Sequence, residues 1–234
     1  MNKTLLAIAA LAATTGAFAQ SSVTMYGVVD ASLENVKGTT SVTRVSSSNL
    51  ASSRLGFKGT EDMGDGLKAK FALETAISAD TGANGGGTTR FFDRAAWVGL
   101  QGGFGELRLG RIDSSIGALA GDTAVLGAQA YDDFKIAGTR AGYTYRRVDN
   151  AITYLLPSFM PGLTAQLQYS AAMGLSSSPA AAGAETVDGT GANGKGYGLS
   201  VKYVAGPFSA GLGYLAAKDE TATAKANATL VYAG

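Results

Sequence analysis

The sequence contains no histidine and no cysteine. Without histidine there is no Ser-His-Asp or Cys-His catalysis and no His-ligated metal site, so we expect neither an enzyme of these types nor a metal or other cofactor. Without cysteine an exported chain has no disulfide to stabilise it. A closed, fully hydrogen-bonded sheet is one alternative source of stability.

Long apolar runs are also missing. Apolar residues make up 46% of the chain, yet no stretch after the N-terminal segment approaches the roughly 18 apolar residues that indicate a membrane helix. A helical membrane protein is therefore excluded. The charges favour neither sign, because 18 basic residues remain beside the 18 acidic ones once Lys3 is set aside. A nucleic-acid binder would need a basic excess.

The first 19 residues have the features of an export signal. Lys3 supplies a positive charge, residues 5–13 form a short apolar stretch, and residues 17–19 are a small-x-small cleavage site. We expect cleavage after Ala19, which leaves one domain at residues 20–234. The alternative, a helical membrane anchor, is disfavoured because the apolar stretch is shorter than about 20 residues.

The rest of the chain alternates between apolar and polar residues with a period of two, which indicates β-strands. The predicted strands are about ten residues long, which suits a tilted crossing of a bilayer and exceeds the usual five or six residues of a soluble sandwich. They are 23–33, 50–60, 67–79, 91–101, 105–113, 151–156, 162–172, 196–206, 207–217 and 224–232.

Short and long connections alternate between these strands. The short ones are 61–66, 102–104, 158–161 and 205–207, and the long ones are 34–49, 80–90, 114–146 and 173–195. This pattern predicts an all-β fold, a transmembrane antiparallel barrel, with a soluble sandwich as the alternative. Connection 114–146 is unusually long and rich in apolar residues, so we expect it to fold inward and narrow the lumen.

Parity places the charged residues of the strands on the face opposite the large apolar ones, with Tyr26 on the polar face and Trp97 opposite Arg94. A charge that faces lipid at mid-depth costs roughly 2–4 kcal/mol, so the polar face should line the lumen. The charged residues predicted to face the lumen are Arg54, Lys58, Lys68, Lys70, Glu74, Arg94 and Arg147.

Clustered arginines need acidic partners or water. Connection 114–146 offers Asp122, Asp132 and Asp133 as an acidic loop opposite the basic wall. Such an arrangement would set up a transverse field that sorts ions and orients dipolar solutes. Arg140 and Arg146 remain possible substitutes on the basic side, and the charges could also merely solvate the lumen.

Four stretches, at 22–30, 53–62, 94–100 and 105–111, follow one another in an order that, together with the export signal, resembles the general, non-specific trimeric porins of Gram-negative outer membranes. The resemblance implies a 16-stranded barrel, a homotrimer and a third loop folded into the pore. It places Arg54, Arg94 and Arg147 on the basic wall. Asp122 matches the Gly-Asp signature of the loop, although the Pro-Glu-Phe triplet often found before it is missing.

The function implied by this resemblance is a water-filled channel in the outer membrane for passive diffusion of ions and small hydrophilic solutes. The barrel would contact membrane lipid and lipopolysaccharide. A non-conducting barrel that serves as an adhesin or structural anchor is the alternative. Only about ten strands are visible and no terminal aromatic is present, so we expect a partial sequence, with a complete ten-stranded barrel as the other reading.

Overall fold

The fold is antiparallel β-structure in a computed structural model, which describes residues 22–85, 90–120, 146–171, 195–218 and 225–233. The strands are β1 Ser22–Val28, β2 Ala31–Lys37, β3 Ser41–Ser47, β4 Arg54–Gly64, β5 Leu67–Ala76, β6 Ala95–Gly102, β7 Gly105–Asp113, β8 Arg147–Leu155, β9 Leu163–Ser170, β10 Gly196–Ala205, β11 Phe208–Lys218 and β12 Lys225–Ala233, with one short helix, α1 Gly117–Ala120.

Ten of the described strands form one sheet in the order β1-β4-β5-β6-β7-β8-β9-β10-β11-β12, and β2 and β3 pair with each other in a separate hairpin. Apart from the step from β1 to β4, which brackets the β2–β3 pair, each strand lies beside its successor in sequence, as hairpin construction requires. The β4–β5 turn is Asp65-Gly66, where positive φ values of 51° and 77° suit a tight Asp-Gly hairpin turn. The predicted ten-strand pattern with alternating short and long connections is confirmed.

The prediction was wrong at the first long connection, where the structure has a β-hairpin. The predicted strand 23–33 divides into β1 and β2, and most of the predicted loop 34–49 is the rest of β2 and β3. Asp30 explains the break, because its carboxylate accepts hydrogen bonds from the backbone N–H groups of Leu50 and Ala51. Its own backbone N–H donates to Ser53 Oγ at 2.9 Å. The chain therefore turns out of the main sheet at this point.

The main sheet has one apolar and one polar face. Register continues the apolar face across strands, as in the row Val98, Leu109 and Ile152. These side chains are exposed, with Met25 at 68% and Val98 at 60%, so no second layer of this chain covers them among the described residues. A water-facing surface of this size would be costly, and a lipid environment removes that cost.

The start of connection 114–146 folds onto the polar face, as predicted for an inward loop. Ser115 donates from its backbone to Gln168 Oε1 at 3.1 Å and from its hydroxyl to the carbonyl of Tyr214 at 2.7 Å. Gly198 allows this approach, because a Cβ there would lie 2.4 Å from Ser115 Oγ. Ile116 and Leu119 are buried against the sheet. Residues 121–145 of this connection lie outside the described residues.

Candidate channel-lining site

Charged residues converge on the polar face near the strand ends that carry the long connections. We call Arg54, Arg90, Arg94, Arg111 and Arg147 the arginine cluster. Three of its members, Arg54, Arg94 and Arg147, were predicted from the sequence, and the other two were missed. The cluster is held together by three carboxylates of the strands, Glu74, Asp113 and Asp149.

Glu74 on β5 organises one side of the cluster. Its carboxylate accepts hydrogen bonds from Arg94 Nε at 2.5 Å and from the Tyr26 hydroxyl at 2.8 Å. Arg54 also lies near enough to attract this carboxylate, and its guanidinium donates to the carbonyl of Ser52 at 2.9 Å. The structure thus brings the predicted residues Arg54, Glu74 and Arg94 together, and Tyr26 lies on the polar face as parity predicted.

Arg147 on β8 reaches Asp113 at the end of β7, with 3.3 Å between its Nε and Asp113 Oδ1. The positive charges of Arg94, Arg111 and Arg146 act on it. A cluster of like charges at this spacing is costly unless carboxylates or water compensate them. Arg147 thus lies near Arg94 and Arg111, and Arg146 borders this group.

Asp149 joins the two arginines that the sequence analysis missed. Its carboxylate pairs with Arg90 through one oxygen and with Arg111 through the other. Arg111 also donates from Nε to the carbonyl of Asp93 at 2.6 Å. Strict alternation puts Arg111 on the apolar side with Leu109, but the register of β7 against β8 shifts between Gly110 and Ile112. A sequence pattern gives no direct sign of such a bulge.

A second group of charges lies nearer the short turns. Glu106 is bound by Lys70 Nζ at 2.8 Å and by Arg108 Nε at 2.5 Å. The Arg108 guanidinium stacks over the Trp97 ring at 4.4 Å from its centroid, a cation–π contact. The prediction that Trp97 lies on the face opposite Arg94 was wrong, because Trp97 contacts Arg108 on the polar face. β6 begins only after Arg94, so alternation does not extend through that residue.

The two remaining lysines that we predicted to face the lumen have separate places. Lys58 on β4 lies over the ring of Tyr26, with 5.2 Å from its Nζ to the ring centroid. Lys68 is exposed at the short-turn end of β5, where it pairs in register with Gln101. Both are thus on the polar face, and Lys68 lies away from the arginine cluster.

The acidic loop residues Asp122, Asp132 and Asp133 lie outside the described residues, as does Arg140. The carboxylates seen beside the arginines come instead from β5, β7 and β8. Carboxylates of the strands themselves therefore offset much of the positive charge of the arginine cluster.

The β2–β3 hairpin borders a polar cavity of about 580 Å³ whose other side includes Arg94 and Arg147. On the hairpin, Glu34 accepts the Ser46 hydroxyl at 2.5 Å and Arg44 Nε at 2.6 Å. These contacts, with the Ser46 hydrogen bond the largest favourable influence, hold the pKa of the Glu34 carboxyl below its usual range. The cavity is thus lined by hydroxyls and charges rather than apolar groups.

Across the described residues, no group of three or more carboxylate, imidazole or thiol side chains is placed to hold a metal ion. In the same part of the chain, no helix has the length and apolarity needed to cross a membrane.

Comparison with known proteins gives a consistent family. Residues 7–234 match the model of the Gram-negative porin family. Outer membrane porin protein 32 of Delftia acidovorans is 38% identical over 221 residues, which cover 91% of this chain and 59% of the relative. An outer membrane porin protein of Bordetella pertussis is 32% identical over 98% of this chain and 63% of the relative. The chain thus spans about 60% of the length of these relatives.

Solved structures give the same fold. An anion-selective porin from Comamonas acidovorans superposes with a TM-score of 0.66 at 32% identity, over 86% of this chain and 58% of that one. OmpF of Salmonella typhi also gives a TM-score of 0.66, at 19% identity, over 90% of this chain and 61% of its own, and this likeness concerns the fold alone. The two-faced antiparallel sheet is the wall of a porin-type β-barrel, and the chain belongs to the Gram-negative porin family of outer-membrane proteins.

Proposed function

We propose that the protein forms a water-filled channel in the outer membrane, through which ions and small hydrophilic solutes diffuse passively. The observation that carries this proposal is the sheet with two chemically opposite faces. Exposed aliphatic side chains on one face suit acyl chains, and the arginine cluster with its carboxylates on the other suits water. Transport of this kind is diffusion along a gradient and requires no catalytic group.

The same proposal includes the surroundings of the channel. Residues 1–19 are an export signal that is removed, residues 20–234 belong to the barrel, and the protein works as a homotrimer in contact with lipid and lipopolysaccharide. Support comes from the sequence pattern of the signal and from membership in the porin family.

We further propose that the channel prefers anions. In the described part of the wall, the arginine cluster has five guanidiniums and is paired with three carboxylates. The resulting positive potential should attract anions into the pore. The solved Comamonas structure with the same fold is named an anion-selective porin.

Planar bilayer recordings test the channel itself. When purified protein inserts into the bilayer, the conductance should rise in steps, and these steps should come in groups of three. A protein that inserts without ever conducting would contradict the proposal and favour the adhesin or anchor role.

Arg94→Gln tests the role of the arginine cluster. Because Arg94 borders the cavity and pairs with Glu74, its loss should shift the reversal potential in a salt gradient toward cation permeability. Lys37→Gln removes the same charge from an exposed site at the end of β2 and should leave the potential near the wild-type value. If the two variants change the reversal potential equally, Arg94 has no specific role in ion selectivity.

A further inference from the structure

We infer that Asp149 is a specificity-determining residue of the channel, which restrains anion preference because its single negative charge is shared by two arginines and offsets part of their positive charge. The inference rests on the proposed channel function and adds to it the residue that sets the strength of the ion preference. It is carried by the contacts of Asp149, by the backbone that presents it, and by the contrast with Asp113.

The contacts of Asp149 divide between its two oxygens. Oδ2 pairs with Nη2 of Arg90, and Oδ1 pairs with Nη1 of Arg111 at 2.5 Å. Arg90 belongs to the connection between β5 and β6 and Arg111 to β7, so a single carboxylate links two separate elements. All three side chains are largely buried, at 15–18% exposure, and their charges are therefore poorly screened by bulk water.

The backbone, rather than the side chain, holds Asp149 in this position. Gly110 pairs with Ala151 and Ile112 pairs with Val148, so two residues of β8 stand opposite Arg111 alone, which is a β-bulge. The carbonyl of Asp149 accepts the Ser170 hydroxyl at 2.6 Å. A change of the carboxylate to an amide therefore leaves the supports of the bulge in place.

Asp113 provides a natural comparison on the same wall. Among the described residues its carboxylate forms one ion pair, with Arg147 at 3.3 Å, and its side chain is 43% exposed. Asp149 has shorter contacts, two partners and less than half of that exposure. The two carboxylates carry the same formal charge, so a general effect of net charge predicts equal consequences for their loss, whereas our inference does not.

The decisive variant is Asp149→Asn, which preserves shape and removes the charge shared by Arg90 and Arg111. We expect the anion-to-cation permeability ratio to rise by about two- to fourfold, the range for one unit charge roughly 10 to 20 Å from a permeating ion in a water-like dielectric, because the charge acts with opposite sign on anions and cations. Asp113→Asn should produce a clearly smaller rise. Asp65→Asn, in the exposed β4–β5 turn, is the matched control and should leave the ratio unchanged.

The measurement is the reversal potential of the full-length protein in planar bilayers under a potassium chloride gradient. Asp149→Glu, which keeps the charge, should have a ratio close to the wild-type value. A merely structural role of the Asp149 side chain would not predict this rescue. An Asp149→Asn ratio no greater than that of Asp113→Asn or Asp65→Asn overturns the inference while the channel function stands. Absence of conductance in the wild type would instead reject the channel function.

A second pair of variants applies if Asp149→Asn does not insert. Arg111→Gln and Arg90→Gln each leave the Asp149 carboxylate with one partner. Both should shift permeability toward cations by more than Lys37→Gln, which removes a charge from the exposed hairpin. Shifts equal to that control overturn the inference.

Discussion

Individual side chains on the polar face show how the protein keeps charges within the wall of a barrel. Glu106 has the least exposed carboxylate among the described ion pairs, at 8%, and it is bound by both Lys70 and Arg108. Removing one member of a buried pair leaves the other charges uncompensated, and this is more costly than the net value of the pair. Glu106 therefore contributes to stability more than an exposed ion pair would.

Glu106→Gln tests this argument. We expect the free energy of unfolding to fall by about 2 kcal/mol, because the substitution removes charged hydrogen bonds at a buried site and one such bond typically contributes this much. Urea unfolding of the protein refolded into vesicles can be followed by fluorescence of Trp97, the only tryptophan, which contacts Arg108.

Lys70→Met is the matched comparison, because Glu106 then keeps its contact with Arg108. The free energy of unfolding of Lys70→Met should fall by less than that of Glu106→Gln. If the two variants are equally stable, the carboxylate is not the centre of this group.

At the scale of elements, the bulge between β7 and β8 decides which side chains reach the polar face. Gly110 has a φ of 133°, outside the usual range of residues with a side chain. Beyond Gly110 the register of β7 against β8 shifts by one residue of β8, and Arg111 pairs there with Asp149 of the arginine cluster.

Gly110→Ala should destabilise the barrel. A Cβ would lie 2.2 Å from the carbonyl oxygen of Ala96, and the backbone strain alone costs about 1–3 kcal/mol. The measurement is the folded fraction after refolding, read as the heat-modifiable band on a gel.

Gly103→Ala serves as the control, since a Cβ at Gly103 meets no atom within 4 Å. It should refold like the wild type. A Gly110→Ala protein that refolds equally well would mean that the bulge can relax without cost.

The whole molecule is organised by what lies on either side of a single sheet. Met25 and its neighbours in register, Phe57 and Leu73, form part of the apolar face at the middle of their strands. Thr24, the residue before it on β1, lies on the opposite face beside Lys58. The two positions share nearly the same depth and differ in the medium that they meet.

Met25→Lys and Thr24→Lys therefore compare the two media directly. A lysine on the lipid side near the middle of the membrane should cost roughly 2–4 kcal/mol, and the lysine at Thr24 should cost much less. The test is urea unfolding of both variants refolded into vesicles.

Equal stability of the two lysine variants would contradict the assignment of the faces. It would mean that the apolar face does not meet lipid at β1. The proposed membrane location of this strand would then be rejected.

The sequence by itself determined most strands of the main sheet, their pairing in hairpins and the presence of two faces, because a period of two and the alternation of short and long connections are local properties of the chain. It also indicated that Arg54, Arg94 and Arg147 are among the charged residues of the polar face, and the resemblance to porins singled out these three. These features need no knowledge of distant contacts.

Only the tertiary structure decided the rest. The β2–β3 hairpin depends on the bonds from Asp30 to residues about twenty positions away. The places of Arg111, Asp149 and Trp97 depend on a bulge and on the start of β6, where alternation fails. A side-chain period can be read along one strand, but a change of phase is set by the neighbouring strand, and the partner of a charge is whichever residue the register places opposite it.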